Sequence, residues 1–269
     1  MQLTKILILV SIVFTITTAF GNNITQKSIL VCYGRLEPET VSGYDYVILE
    51  SQHYNIYEIK KIKSQNEKVF AYVSLGEINE NSGYFNLFKD DLSQKNEIWN
   101  SYYLNLKSEK TITTLKGIIK NILDLGYDGM FLDNIDNFTS YGPQSLQKEE
   151  LVNFLKDLNN DYPDKLFIQN AGIELINETA SFVDAVVVES VATDYSFNDK
   201  SYKLRNQTEY EEYAKKLEGV RKEYKIPVIL IEYADKQSLR RDIQKRIKST
   251  KFDSFIGNIN LQTIPIFNN

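Results

Sequence analysis

The sequence predicts a single (β/α)8 TIM-type barrel, an α/β fold, whose first crossover carries no real helix. Three observations lead there. Eight short runs rich in β-branched and aromatic residues recur along the chain, several of them apolar throughout, as strands covered on both faces must be. Amphipathic helical patterns fill most of the intervals between runs. The runs also tend to end on carboxylates, and a barrel gathers its strand ends at one mouth.

The first run, Ile29–Tyr33 (ILVCY), and the second, Asp45–Glu50 (DYVILE), are separated only by Gly34–Tyr44, short for a helical crossover of a dozen or more residues. Tyr54–Gln65 supplies a short crossover, with Ile59 and Ile62 one helical turn apart. It leads to Val69–Leu75 (VFAYVSL). The longest connection, Gly76–Thr111, follows; a loop of this length inside a compact domain is functional or has structure of its own. Thr113–Gly126 then sets Leu115, Ile118, Ile119, Ile122 and Leu123 along one helical stripe, with Gly126 as the stop signal.

The fourth run is Asp128–Asp133 (DGMFLD), and Ser145–Tyr162 is its helix. Leu166–Ala171 (LFIQNA) is the fifth, with the shorter crossover Ile173–Phe182. Asp184–Ser190 (DAVVVES), the helix Thr208–Tyr224, Pro227–Tyr233 (PVILIEY), the helix Lys236–Ser249 and Ser254–Ile259 (SFIGNI) complete the series. An open doubly wound sheet is the alternative, but no GxGxxG or GxxxxGK[ST] follows any strand to cradle a phosphate.

Ahead of this domain, expected over residues 22–269, residues 1–21 read as a signal peptide: one lysine, an apolar run from Ile6 to Ile16, then small and polar residues. That run falls short of the ~20 apolar residues of a membrane span, so the mature protein is expected to be soluble and secreted, periplasmic or extracellular, with no membrane attachment. The lone Cys32 can form no internal disulfide and reads as a small buried hydrophobe. The net charge of −5, or −6 once the lysine of the leader is removed, disfavours nucleic acid, whose binding depends on neutralising phosphates. The single histidine, His53, excludes any multi-histidine metal site; it reads as a cap or packing group near a helix start. No EF-hand-like Asp-x-Asp-x-Asp-Gly loop accompanies the acids, so neither metal nor cofactor is expected, and a monomer is.

Glu50 ends the second strand, Glu77 follows the third in SLGE, and Asp133 ends the fourth. Gln169 and Asn170 end the fifth, Glu189 the sixth, and Glu232 with Asp235 the seventh. Crowding of carboxylates in a partly desolvated cleft raises at least one pKa, and a protonated carboxyl beside an ionised one is the pair that glycoside hydrolysis uses. Asp133 and Glu189 each directly follow a fully apolar stretch, Met130–Leu132 and Val186–Val188, and so stand on rigid supports. Other readings stay open for the rest: Asp136 could cap the following turn, Glu50 could pair with a base, Glu77 could be a solvated acid after a turn glycine, and Glu232 could be structural. Aromatic residues crowd the same ends and loops, among them Tyr33, Tyr195, Tyr233 and Trp99. Such rings stack on the C–H faces of sugars and attract cations.

VFAYVSLGEIN, GYDGMFLDNIDNF, LFIQNAGIEL, VDAVVVESV and PVILIEYAD, in this order, resemble the glycoside hydrolases of family 114. These are endo-α-1,4-polygalactosaminidases related to the hydrolase domain of Pel-type exopolysaccharide-processing enzymes and to spherulin-like proteins. The similarity runs from about Ile29 to Ile259. It implies a barrel that cleaves α-1,4-linked galactosamine or partly deacetylated N-acetylgalactosamine chains, with a cationic polysaccharide as partner. It further implies Asp133 as nucleophile, Glu189 as acid/base and Glu77 as a cleft acid. Tyr33, Asn170, Asp136, Tyr195, Glu232, Tyr233 and Trp99 complete the expected substrate contacts. One departure stands out: Glu232-Tyr233 replaces an expected Asp-Tyr pair after the seventh strand. A non-catalytic carbohydrate-binding barrel, or a hydrolase of another α-linked glycan, is the alternative.

Overall fold

The computed structural model describes residues 26–267; the signal peptide expected over residues 1–21 lies outside them. Eight strands run parallel in sequence order around one sheet: β1 Ile29–Cys32, β2 Tyr46–Glu50, β3 Lys68–Ser74, β4 Gly129–Asp133, β5 Leu166–Asn170, β6 Ala185–Glu189, β7 Val228–Tyr233 and β8 Asp253–Gly257. All eight runs read from the sequence are strands. β8 lies beside β1 without a ladder between them. Instead Lys27 N donates to Asp253 Oδ1 at 2.8 Å, and Tyr33 N donates to the Leu261 carbonyl at 2.7 Å. The barrel is therefore nearly closed.

The strands are buried because they are apolar on both faces. Val47, Ile48, Val69, Ala71, Met130, Phe131, Leu132, Val186, Val187, Ile229, Leu230 and Ile231 are all fully enclosed. Each such side chain contributes about 1.5–3 kcal/mol on leaving water. Helices α1 Ile56–Lys63, α2 Glu109–Asp124, α3 Lys148–Asp161, α4 Ile176–Thr179, α5 Gln207–Tyr224 and α6 Gln237–Ile247 coat the outside. α1 begins with a reciprocal capping box between Asn55 and Glu58. α2 stops where Gly126 takes φ +104°, the left-handed geometry that terminates helices. Between β1 and β2 there is only the 3-10 turn Pro38–Thr40, and the β5–β6 crossover is reduced to α4 with one short 3-10 turn. Among the described residues no helix is long and apolar enough to cross a membrane.

Two insertions rise from the C-terminal ends of the strands. After β3 come the antiparallel strands Glu77–Asn79, Leu92–Asn96 and Ser101–Leu104, with the last in the centre; this is the structure that the long third connection required. After β6 comes a hairpin, Thr193–Ser196 with Ser201–Leu204.

Candidate active site

Three neighbouring strands end in the same way. β4 ends on Asp133, β5 on Asn170 and β6 on Glu189. The next residue in each case turns left-handed: Asn134 at φ 62°, Ala171 at 61° and Ser190 at 55°. None of these is glycine, so each turn carries backbone strain. The three turns halt the strands at one level and leave their last side chains facing a common point.

At that point one amide serves two acids. Asn170 Nδ2 donates to Asp133 Oδ1 at 2.7 Å and to Glu189 Oε1 at 2.8 Å. These bonds laid end to end cap the separation of the two accepted oxygens at 5.5 Å. With the two N–H bonds of a planar amide diverging by 120°, the separation is about 4.8 Å. A tyrosine completes each acid. Tyr72 OH donates to Asp133 Oδ2 at 2.7 Å, and Tyr233 OH donates to Glu189 Oε2. Both acids remain partly open to solvent.

The electrostatics separate the pair. Burial pushes Glu189 above the usual glutamate range, and the charge of Asp133 pushes the same way, against the bonds from Tyr233 and Asn170. Asp133 accepts from Tyr72 and Asn170. Asp136, half-buried in the 3-10 turn Ile135–Phe138, is raised by burial and then by Asp133. Tyr72, Tyr233 and Tyr33 are raised well above the ordinary phenol, first by burial and then by the adjoining carboxylates. They therefore remain donors at any working pH. Tyr33 packs against Tyr72 with ring centroids 4.6 Å apart and planes tilted by 51°, and it feels Asp133, Glu189 and Glu50.

Two expected substrate contacts are spent on the scaffold instead. Glu77 is 7% exposed, and its oxygens accept from Asn96 Nδ2 at 3.2 Å, Asn137 Nδ2 at 2.9 Å and Ser101 Oγ. It ties the base of the first insertion to the rim. Gly76 beside it has to be glycine, since a Cβ there would stand 2.7 Å from the Asn134 Cβ and 2.8 Å from Asn137 Nδ2. Glu232 is fully enclosed and accepts from Val191 N at 3.1 Å, Ala192 N at 2.8 Å, Thr193 N at 2.9 Å and Thr193 Oγ1 at 2.6 Å. Burial pushes it up to about 7, against those four donors. It anchors the base of the second insertion. The oxygens of both carboxylates are taken up by these donors.

Asp133, Asn170, Glu189, Tyr233 and Tyr33 are brought together, with Asp136 close by. Trp99 and Tyr195 sit out on the insertions. Trp99 is half exposed at a hairpin turn and meets Phe197 edge-on at 5.5 Å, while Tyr195 packs on Phe197 and Tyr202. Tyr72 was not among the expected site residues, although a tyrosine on β3 two residues before the strand end was a signal. Phe197 gave none. Cys32 is buried and free, and His53 Nε2 bonds the Tyr33 carbonyl at 3.1 Å, so it supports that segment. Among the described residues, no three His, Cys, Asp or Glu side chains group as ligands for a metal ion.

Comparisons with known proteins bear on the family and the fold. The model of glycoside-hydrolase family GH114 matches residues 22–268. The glycoside hydrolase domain of PelA from Pseudomonas aeruginosa superposes with a TM-score of 0.78 at 24% identity, over 90% of this chain and 98% of that one. Aspergillus fumigatus Ega3, solved in complex with galactosamine, superposes with a TM-score of 0.68 at 20% identity, over 89% and 93%. No curated protein matches by sequence. The chain is a member of glycoside-hydrolase family GH114.

Proposed function

We propose that this glycoside hydrolase is an exported, endo-acting enzyme that cleaves α-1,4-linked galactosamine or N-acetylgalactosamine polysaccharide with retention of configuration. The observation that carries the reading is the shared Asn170 amide. It holds one oxygen of Asp133 and one of Glu189 within 5.5 Å, nearer the roughly 5–5.5 Å between the carboxyl groups of retaining glycosidases than the roughly 6.5–9.5 Å that leaves room for a water in inverting ones.

The chemistry follows from the two environments. Asp133, as nucleophile, attacks the anomeric carbon while Glu189 passes its proton to the glycosidic oxygen. The C–O bond breaks, and the new chain end leaves as an alcohol. Glu189, now a carboxylate, takes a proton from a water that attacks the same carbon, and the ester bond to Asp133 breaks. Burial raises Glu189 above the ordinary glutamate value, the direction that suits a proton donor. An acidic rim formed by Asp133, Asp136 and Glu50 suits a chain of ammonium sugars, and galactosamine is the ligand named for Ega3. Tyr33 and Tyr233 would line the sugar at the point of cleavage, and every group of the pair comes from one chain, as a working monomer requires. Export rests on the leader-like residues 1–21.

The test is incubation of the purified protein with polygalactosamine, with new reducing ends as readout. Wild type should generate them, while Asp133→Asn should fold and generate none. Full activity in Asp133→Asn removes that residue as nucleophile, and no activity in wild type removes the substrate class.

A further inference from the structure

We infer that Trp99 and Phe197 form a latch across the mouth that holds a long glycan in the cleft between successive cuts; this rests on the glycan-hydrolase reading above. The two rings belong to insertions that rise from β3 and β6, which stand three strands apart in an eight-stranded ring. A contact between their tips spans the mouth. The insertions it joins flank β4 and β5, whose ends carry Asp133 and Asn170.

Each insertion is held firmly, and the Trp99 turn itself is fixed by Asn79 Nδ2, which donates to the Trp99 carbonyl at 2.7 Å; what stays free is the exposed rings. Glu77 accepts bonds from Asn96 and Ser101, the residues that flank the turn holding Trp99. Glu232 accepts from Val191, Ala192 and Thr193 at the root of the hairpin holding Phe197. At the tips both rings remain 54% exposed, and they meet edge-to-face at 5.5 Å with 86° between planes. Tyr195 backs Phe197 at 5.0 Å and 89°. One edge-to-face contact favours the closed arrangement by only about 2- to 12-fold. The rings therefore part readily, by turning about their own side-chain bonds, to admit an internal stretch of polymer, and then close over it. A short oligomer can enter and leave beneath the closed latch, whereas a long chain cannot without threading an end.

The test uses Trp99→Cys/Phe197→Cys in a Glu189→Gln background, joined by a short bis-maleimide. Cys32 is fully buried and leaves the two introduced thiols as the reactive pair. Fluorescent long-chain polygalactosamine and a short fluorescent galactosamine oligomer are the probes. Joining the tips should slow association of the long chain by about tenfold or more and leave the short one within about twofold. In active enzyme, Trp99→Ala/Phe197→Ala should release the polymer after fewer cuts, seen as a slower rise of short products relative to the fall in polymer size. Equal association of the long chain before and after joining overturns the latch while leaving the hydrolase reading intact. Failure of the unjoined protein to bind the long chain at all overturns both.

Discussion

Removing the amide of Asn170 should cost rate and little stability. In Asn170→Ala, Asp133 loses one of its two donors, a charge-assisted bond of 2.7 Å. Hydrogen bonds to charged groups contribute about 1.5–3 kcal/mol, which at about 1.4 kcal/mol per decade is a 10- to 150-fold loss in kcat/KM. A second effect comes after the first step, when Glu189 is a carboxylate facing the ester of Asp133 and loses the donor that Asn170 supplies to it. Ionisation of Glu189 in the free enzyme would set two unit charges about 4.8 Å apart, which repel by about 3.5 kcal/mol at an effective dielectric constant of 20, and the shared N–H groups offset part of that. Stability responds differently, because the Asn170 Oδ1 is buried with no partner. Deleting an unsatisfied carbonyl returns about 1–3 kcal/mol against the cavity left behind. The assay is steady-state hydrolysis alongside thermal unfolding. The expected outcome is a kcat/KM at least about tenfold lower, with the melting temperature moved by no more than a few degrees. A variant that keeps wild-type rate, or one that loses rate only because it unfolds, refutes the reasoning.

Other outcomes follow from the same contacts. Tyr233→Phe removes a donor that favours charged Glu189, so the proton of the acid should be held to higher pH. The alkaline limb of the kcat/KM profile should move upward; an unmoved or lowered limb contradicts the assignment. Ala171→Gly relieves a left-handed alanine at φ 61°. Relief of about 1–2 kcal/mol less the added freedom of the unfolded chain, about 0.4–1 kcal/mol, leaves a gain of several tenths, read by urea unfolding. Glu77→Ala strands the donors of Asn96, Ser101 and Asn137. That should destabilise by about 3 kcal/mol or more and expose the first insertion to proteolysis before the barrel.

The barrel was legible because its physics is local. Each buried parallel strand needs an apolar run such as AVVV, and each outer helix a stripe such as Leu115, Ile118 and Ile122. The Asp133–Glu189 pair was legible for a related reason: a carboxylate set directly on an apolar strand is costly unless it works. That rule could not tell Glu189 from Glu232. Alternation along β7 supplies the distinction, since Tyr233 turns to Glu189 and its neighbour must face the other way. Glu77 deceived similarly, because its partners Asn96, Ser101 and Asn137 are brought to it by an insertion and by the turn after β4. The left-handed Asn134, Ala171 and Ser190 carry no sequence mark, as none is glycine. Phe197 was invisible because its contact with Trp99 joins two hairpin tips remote in sequence.

The double displacement is tested most directly by the anomeric configuration of the first product, followed by proton NMR as wild-type enzyme cuts α-linked galactosamine oligomers. An α-configured reducing end, appearing before mutarotation, is the predicted result for acids this close. A β-configured first product would mean that water, not Asp133, meets the sugar.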